Sequence, residues 1–330
     1  MTPAFPLIGN RAQTARLIAA SDADRMHHAY LLEGPEGVGK ATFALWLARY
    51  TNCTSASRPC GTCRSCHLML SGTHPDLVVV VPDPDRATRV ITVDQAHQLI
   101  QALQLQRHSA RRRFVILDPV DALNDESANA LLKTLEEPPQ GTQFLLVTAR
   151  VASLLPTIRS RTQRVRFGPV PEAELADWLV ARGLDADLGR SSGGSPGFAI
   201  RLAGGEEAER RTLREALLAA VGQPLGKLFA FTEAEGKKEE GVNRAALAVD
   251  VLEELLRDSA CLAQGRPALH REARPTLRRW ASALWPGGFV RLGGHLAQAR
   301  DRLALNVNGR VVLEALLTQL NLELSAAPPR

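Results

Sequence analysis

Three short runs built entirely from apolar residues constrain this chain most: Leu77–Val81, Phe114–Leu117 and Phe144–Val147. A strand with one wet face alternates apolar and polar residues. A strand with no polar position is buried on both faces, as in a parallel sheet covered by helices above and below. A fourth run, Tyr30–Leu32, leads into a glycine-rich turn and then an amphipathic helix pattern over Ala41–Tyr50. This strand–helix alternation predicts an α/β domain with a parallel sheet. It ends near Val165–Gly168, where the chain turns proline-rich (Gly168-Pro169-Val170-Pro171).

From Glu172 onward the patterns are helical only. Glu172–Arg182 reads as one helix, and Phe198–Ala203 begins another after the turn Gly193-Gly194-Ser195-Pro196-Gly197. Glu233–Gly241 reads as a charge-rich loop. Val249, Leu252, Leu255, Leu256 and Ser259 form a helical stripe, and a last helix is expected over Gly309–Leu322. Helices without strands point to a separate helical C-terminal region with a frayed tail at Ala326–Arg330.

The chain has 330 residues, enough for two or three domains. Hydrophobic residues make up 45% and charged residues 23%, the proportions of a soluble globular protein. Leu77–Val81 is far too short to span a bilayer, and the N-terminal MTPAFPLIGNRAQ lacks the charged and apolar regions of a leader peptide. The net charge of +5 suits contact with DNA or acidic proteins without specifying either. Four of five cysteines are bunched, which points away from a disulfide framework and toward a metal site in a reducing, cytoplasmic compartment.

Gly34-Pro35-Glu36-Gly37-Val38-Gly39-Lys40 fits G-x-x-x-x-G-K between a strand and a helix. In such a loop Gly34, Gly37 and Gly39 let backbone N–H groups surround phosphate oxygens, and Lys40 reaches the β- and γ-phosphates. The next residue should carry a hydroxyl for Mg²⁺. It is Ala41, and Thr42 follows one position late, nearer an α-phosphate. Asp118, at the end of the Phe114–Leu117 strand, can face a nucleotide-bound metal. The acid that should follow it to activate water is Pro119. Two parts of a hydrolytic site are thus missing. Either the loop holds ATP or ADP weakly or structurally, or it merely caps a helix with no nucleotide.

Cys53, Cys60, Cys63 and Cys66 place four thiols within fourteen residues. Thiolates so spaced suit a closed, structural Zn²⁺ site, and the spacing departs from the usual ferredoxin forms. Cys261 stands apart on a helical stripe and reads as a small core residue. Arg111-Arg112-Arg113 reads as a solvated strand entrance, with a DNA-phosphate contact as the alternative. His27 and His28 flank a strand and read as packing residues.

Ala128–Pro139 (ANALLKTLEEPP), the phosphate loop, the cysteines inserted after its helix and Ser160-Arg161-Thr162 together resemble bacterial DNA polymerase III clamp-loader subunits of the AAA+ ATPase superfamily. Leu7-Ile8-Gly9-Asn10, His28-Ala29-Tyr30, His74-Pro75-Asp76-Leu77 and Asn306-Val307-Asn308-Gly309-Arg310 are similar to its delta prime family in particular. The likeness covers nearly the whole chain and weakens between Gly204 and Arg302.

Motor subunits of the gamma/tau type carry Asp-Glu where this chain has Asp118-Pro119, and Thr where it has Ala41. They also carry a lid arginine where this chain reads Gly194-Ser195-Pro196-Gly197-Phe198-Ala199, with Arg201 one turn further on. The resemblance therefore implies a subunit without appreciable ATPase activity of its own. It implies a RecA-like AAA+ domain over residues 1–168 with a zinc module at 53–66, a helical lid over 169–206 and a helical collar over 207–330. It also implies a place in a hetero-pentameric ring beside gamma/tau and delta subunits, which loads a sliding clamp onto primed DNA, with no membrane contact. Arg161 would then serve as an arginine finger on a neighbour's ATP, and Thr148 would stand at a polar sensor position. Two alternatives stay open: an active motor, with Asp121 as the substitute acid, and a replication scaffold that binds nucleotide only structurally and offers no finger.

Overall fold

A computed structural model of the chain describes residues 8–83, 90–236, 241–284, 286–305 and 307–325. Leu7, Asn306, residues 237–240 of the expected loop and the tail Ala326–Arg330 lie outside them. The chain divides into two compact units, Met1–Leu202 and Ala203–Arg330.

The first unit contains strands β1 (Ala29–Glu33), β2 (Leu77–Val80), β3 (Arg113–Leu117), β4 (Thr142–Thr148) and β5 (Gln163–Arg166). Between them run helices α1 (Arg11–Asp22), α2 (Lys40–Asn52), α3 (Arg64–Leu70), α4 (Val93–Gln104), α5 (Asp125–Glu136) and α6 (Pro156–Ser160). Helices α7 (Glu172–Val180), α8 (Asp187–Ser191) and α9 (Pro196–Arg201) follow the last strand. The five strands form one sheet in the order β2-β3-β4-β1-β5, with every pair parallel.

The wholly apolar runs have the expected cause. Tyr30, Leu32, Phe114, Ile116, Leu145 and Val147 point to one face, where they pack with Leu17, Phe43 and Leu47 of α1 and α2. Their neighbours Ala29, Leu31, Val115, Leu117, Phe144 and Leu146 point to the other face, against Leu99, Leu131 and Ile158 of α4, α5 and α6. Alternate residues point to opposite faces, and helices cover both faces of the inner strands, so Ala29–Leu32, Phe114–Leu117 and Phe144–Val147 carry no charged side chain and polar residues stand only at the strand ends and on the edge strand β5.

Helix starts are set by side chains. Thr92 and Gln95 form a reciprocal capping box at α4. Asn124 accepts from Ser127 N at 2.8 Å at the start of α5, whose first turn carries Asp125 and Glu126. Val170, Leu175, Leu179 and Ala199 make a small separate core among α7, α8 and α9. Pro196 at the first turn starts α9 two residues earlier than the sequence pattern suggests.

The second unit is helical: α10 (Glu207–Ala220), α11 (Leu225–Gly236), α12 (Gly241–Ala263), α13 (Arg274–Leu284), α14 (Gly287–Ala304) and α15 (Gly309–Ser325). Val249, Leu252, Leu255 and Leu256 of the expected stripe lie in its core with Leu277, Trp280 and Leu316. Ser259, on the same stripe, is buried and donates to the carbonyl of Leu277 at 2.9 Å. Cys261 is half-buried. The charge-rich stretch from Glu233 is not a loop at its start: α11 runs through to Gly236, with α12 beginning at Gly241.

Candidate functional site

The carboxyl ends of parallel strands are where α/β sheets bind ligands, and the candidate nucleotide residues gather there. Gly34 follows β1 and receives no side chain easily, because a Cβ would lie 2.0 Å from the carbonyl oxygen of Phe167. Gly37 and Gly39 adopt φ of 73° and 96°, left-handed values that favour glycine. Lys40 opens α2 and is only 6% exposed. Asp118 follows β3 and donates its N–H to the carbonyl of Val80 at 3.0 Å.

The loop is already satisfied by its own chain. The Lys40 ammonium donates to the carbonyls of Gly34 at 2.8 Å and Pro35 at 2.6 Å. Burial pushes Lys40 below the usual lysine range, while the carboxylates of Asp118, Glu36 and Asp121 pull the other way. Burial likewise raises the Asp118 carboxyl, opposed by Lys40. From the far side, Ser195 Oγ donates to the carbonyl of Glu36 at 3.0 Å. The Gly197 N–H donates to the carbonyl of Gly37 at 2.9 Å. A Cβ on Gly37 would stand 2.3 Å from Ser195 Oγ. Thr42, within the first turn of α2, is exposed.

The candidate substitute acid is also engaged. Asp121 accepts from Thr148 Oγ1 at 2.7 Å and from Arg150 Nε at 2.9 Å. Thr148 in turn accepts from the Arg150 N–H at 2.9 Å. These contacts fix the end of β4 against the segment after β3. Arg201 reaches Glu36 at 3.8 Å and lies 5.3 Å from the Phe198 ring centre.

Arg161 caps the C-terminal end of α6, on the other side of the motif that contains α5. Its Nε donates to Glu136 Oε1 at 2.6 Å, a second nitrogen pairs with the same carboxylate, and a third donates to the Thr157 carbonyl at 2.9 Å. Arg161, Glu136, His27, His28, Ser160 and Thr162 line an open cleft of about 390 Å³. The His27 and His28 rings stand 4.2 Å apart. Burial pushes His28 below the usual histidine range, and the neighbouring His27 adds to the effect.

The sulfur atoms of Cys53, Cys60, Cys63 and Cys66 all lie within 4.8 Å of one another. A tetrahedral ZnS₄ centre needs sulfurs about 3.8 Å apart, and Cys53 and Cys63 stand at 4.0 Å. Backbone N–H groups of Cys60, Cys63 and Cys66 each donate to a sulfur of the set at 3.3–3.4 Å, the outer contacts that thiolate ligands require. The donor set therefore fits a metal ion. Hydrogen bonds from Thr62 and Cys63 help bring Cys60 down to about 5. Burial pushes Cys66 up to about 12. A thiol so raised stays protonated in neutral solution, and a coordinated dication ionises it.

Arg113 does not lie in solvent as its basic neighbours suggested. It is 3% exposed, donates to the carbonyls of Ala102, Leu103 and Gln106 and lies 3.6 Å from Asp76. Arg111 and Arg112 both pair with Asp24. Sequence reading also missed Glu33, which holds Arg164 and Arg166 at 2.7 Å each. Strand pairing explains that contact, since Glu33 stands opposite Arg166 in the sheet. Glu136 and Ser195 carried no such signal, because their partners lie 25 and 159 residues away.

Residues 9–171 match a family model described as DNA polymerase III, delta subunit. The chain is 32% identical to DNA polymerase III subunit delta' of Escherichia coli over 95% of its own length and 93% of that protein. It is 36% identical to subunit gamma/tau of Mycobacterium tuberculosis over 58% of its length and 34% of that protein. A gamma subunit-related protein of Thermotoga maritima, 19% identical, covers 94% of this chain and 99% of its own at a TM-score of 0.43, a likeness too loose to bear on function. With a relative matched almost end to end, the chain belongs to the family of DNA polymerase III subunit delta'.

Proposed function

We propose that this chain works as the hydrolysis-deficient subunit of a clamp loader, with gamma/tau and delta subunits beside it in a hetero-pentameric ring. The ring acts on a sliding clamp and primed DNA in the cytoplasm. No described helix is long and apolar enough to cross a membrane, in keeping with that setting. The three-part division into an AAA+ domain over 1–168, a lid over 169–206 and a collar over 207–330 belongs to the same reading.

One observation carries it: the phosphate loop is tied to its own chain. Lys40, which a nucleotide would need for its β- and γ-phosphates, already holds two loop carbonyls. Ser195 and Gly197 close over Glu36 and Gly37. Pro119 offers no base, and Asp121 is committed to Thr148 and Arg150. Gly37 joins the loop to the lid, and any ATP or ADP held by Gly34, Gly37, Gly39, Lys40, Thr42 and Asp118 is weak or structural. Cys53, Cys60, Cys63 and Cys66 hold a structural Zn²⁺. When bound, the ion supplies a closed cross-link between the loop after α2 and the start of α3.

Arg161 is the residue that would act on a neighbouring subunit's ATP. A guanidinium entering a neighbour's site stabilises charge on the transferring phosphoryl group. The competing reading, a scaffold that offers no finger, draws on the ion pair of Arg161 with Glu136.

Two measurements separate these readings. The purified chain alone should release phosphate at well under about 1 s⁻¹, the low end of ordinary enzyme rates; brisk turnover assigns it to the motors. In the reconstituted loader, Arg161→Ala should lower DNA-stimulated ATPase about tenfold or more. Full activity in that variant leaves the scaffold.

A further inference from the structure

The guanidinium of Arg161 has five N–H groups on two usable edges. The edge formed by Nε and one terminal nitrogen is taken by Glu136. The other terminal nitrogen is taken by the Thr157 carbonyl at 2.9 Å, with Ser160 Oγ at 3.4 Å. No pair of adjacent N–H groups remains with which to grip a phosphate bidentately. Glu136 also cancels the charge that a finger must deliver.

The pair lies at the surface. The Arg161 side chain is 29% exposed and that of Glu136 45%, in the mouth of the cleft they share with His27 and His28. Burial disfavours the charged form of His28. Exposed pairs of this kind are weak, so a polyanion can displace the carboxylate.

We propose that Glu136 restrains Arg161: the carboxylate holds the guanidinium in the unengaged chain, and a neighbour's triphosphate must draw it away before Arg161 can act. This rests on the finger reading of Arg161. It adds a competitor within the chain, which sets how readily the finger is released. Glu136 closes α5 within Leu135-Glu136-Glu137-Pro138-Pro139, so the restraint and the finger sit on adjoining helices, α5 and α6.

The test uses the full loader reconstituted with wild-type chain, Glu136→Gln, Arg161→Ala and the double variant. Glu136→Gln should raise the DNA-stimulated kcat for ATP about two- to fivefold, as expected for loss of an exposed pair, with KM little changed. In the double variant the gain should vanish. Glu136→Asp, with its shorter arm, should give a smaller gain. An unchanged or lower kcat in Glu136→Gln, with Arg161→Ala still impaired, overturns the restraint and leaves the finger standing. If Arg161→Ala has no effect, the finger reading fails and the restraint with it. A second measurement needs only the isolated chain. By arginine-selective NMR, the Arg161 Nε–H should exchange slowly with water, and faster in Glu136→Gln. Wild-type exchange as fast as that of free arginine also overturns the proposal.

Discussion

The backbone N–H of Gly197 donates to the carbonyl of Gly37 at 2.9 Å, so the first turn of α9 rests directly on the phosphate loop. The contact is backbone to backbone and leaves no room for side chains on either partner. A Cβ on Gly197 would meet the Gly37 carbonyl oxygen at 3.0 Å, and one on Gly37 would meet Ser195 Oγ at 2.3 Å.

Gly37→Ala should therefore destabilise the chain by roughly 2 kcal/mol, combining left-handed strain with the clash. Urea unfolding of the purified chain measures this. Wild-type stability in the variant would mean that the loop and α9 are not held as described.

Ser195 both caps α9, accepting from Phe198 N at 3.2 Å, and donates to Glu36. Ser195→Ala should cost about 1 kcal/mol, the usual effect of losing such a cap. Nucleotide affinity, followed by fluorescence titration, should change little, since Lys40 stays bound to its own carbonyls.

Asp76 is fully buried and accepts N–H groups from His108, Ser109 and Ala110 at 2.9–3.1 Å. Burial works to raise its carboxyl, but those donors and Arg113 prevail and hold it below the ordinary 3.8. A depressed carboxyl stabilises the fold fully above its unfolded value. That contribution is lost as pH falls through the lower folded value. Asp76→Asn should cost roughly 3 kcal/mol at pH 7, because Arg113 loses its buried partner. The gap from wild type should close below about pH 4. A gap constant across that range contradicts the assignment.

Cys63→Ser removes one sulfur of the four-thiol set. Zinc by atomic spectroscopy should fall from about one equivalent per chain to well below it, and the melting temperature should drop, because metal binding is coupled to local folding. Unchanged melting with zinc lost would confine the ion to a dispensable loop.

Phe144 is wholly buried under α4, α5 and α6. Phe144→Ala should cost about 3–5 kcal/mol by denaturant titration, since β4 lies in the middle of the sheet and cannot collapse into the space.

The sheet was legible from the sequence because burial on both faces writes itself as unbroken apolar runs in the inner strands, Phe114–Leu117 and Phe144–Val147, whereas Leu77–Val80 lies on the edge strand β2 and leaves Val79 exposed. The glycine-rich turn between β1 and α2 and the clustering of the four cysteines were legible because the residues involved stand a few positions apart. Tertiary structure alone decided what those parts are free to do. Lys40 turned inward to its own loop, Arg113 was drawn out of the basic run by Asp76, and Arg161 met Glu136. Each partner is chosen by how strands and helices stack, not by spacing along the chain. A charge finds the nearest opposite charge in space, and only the fold says which that is.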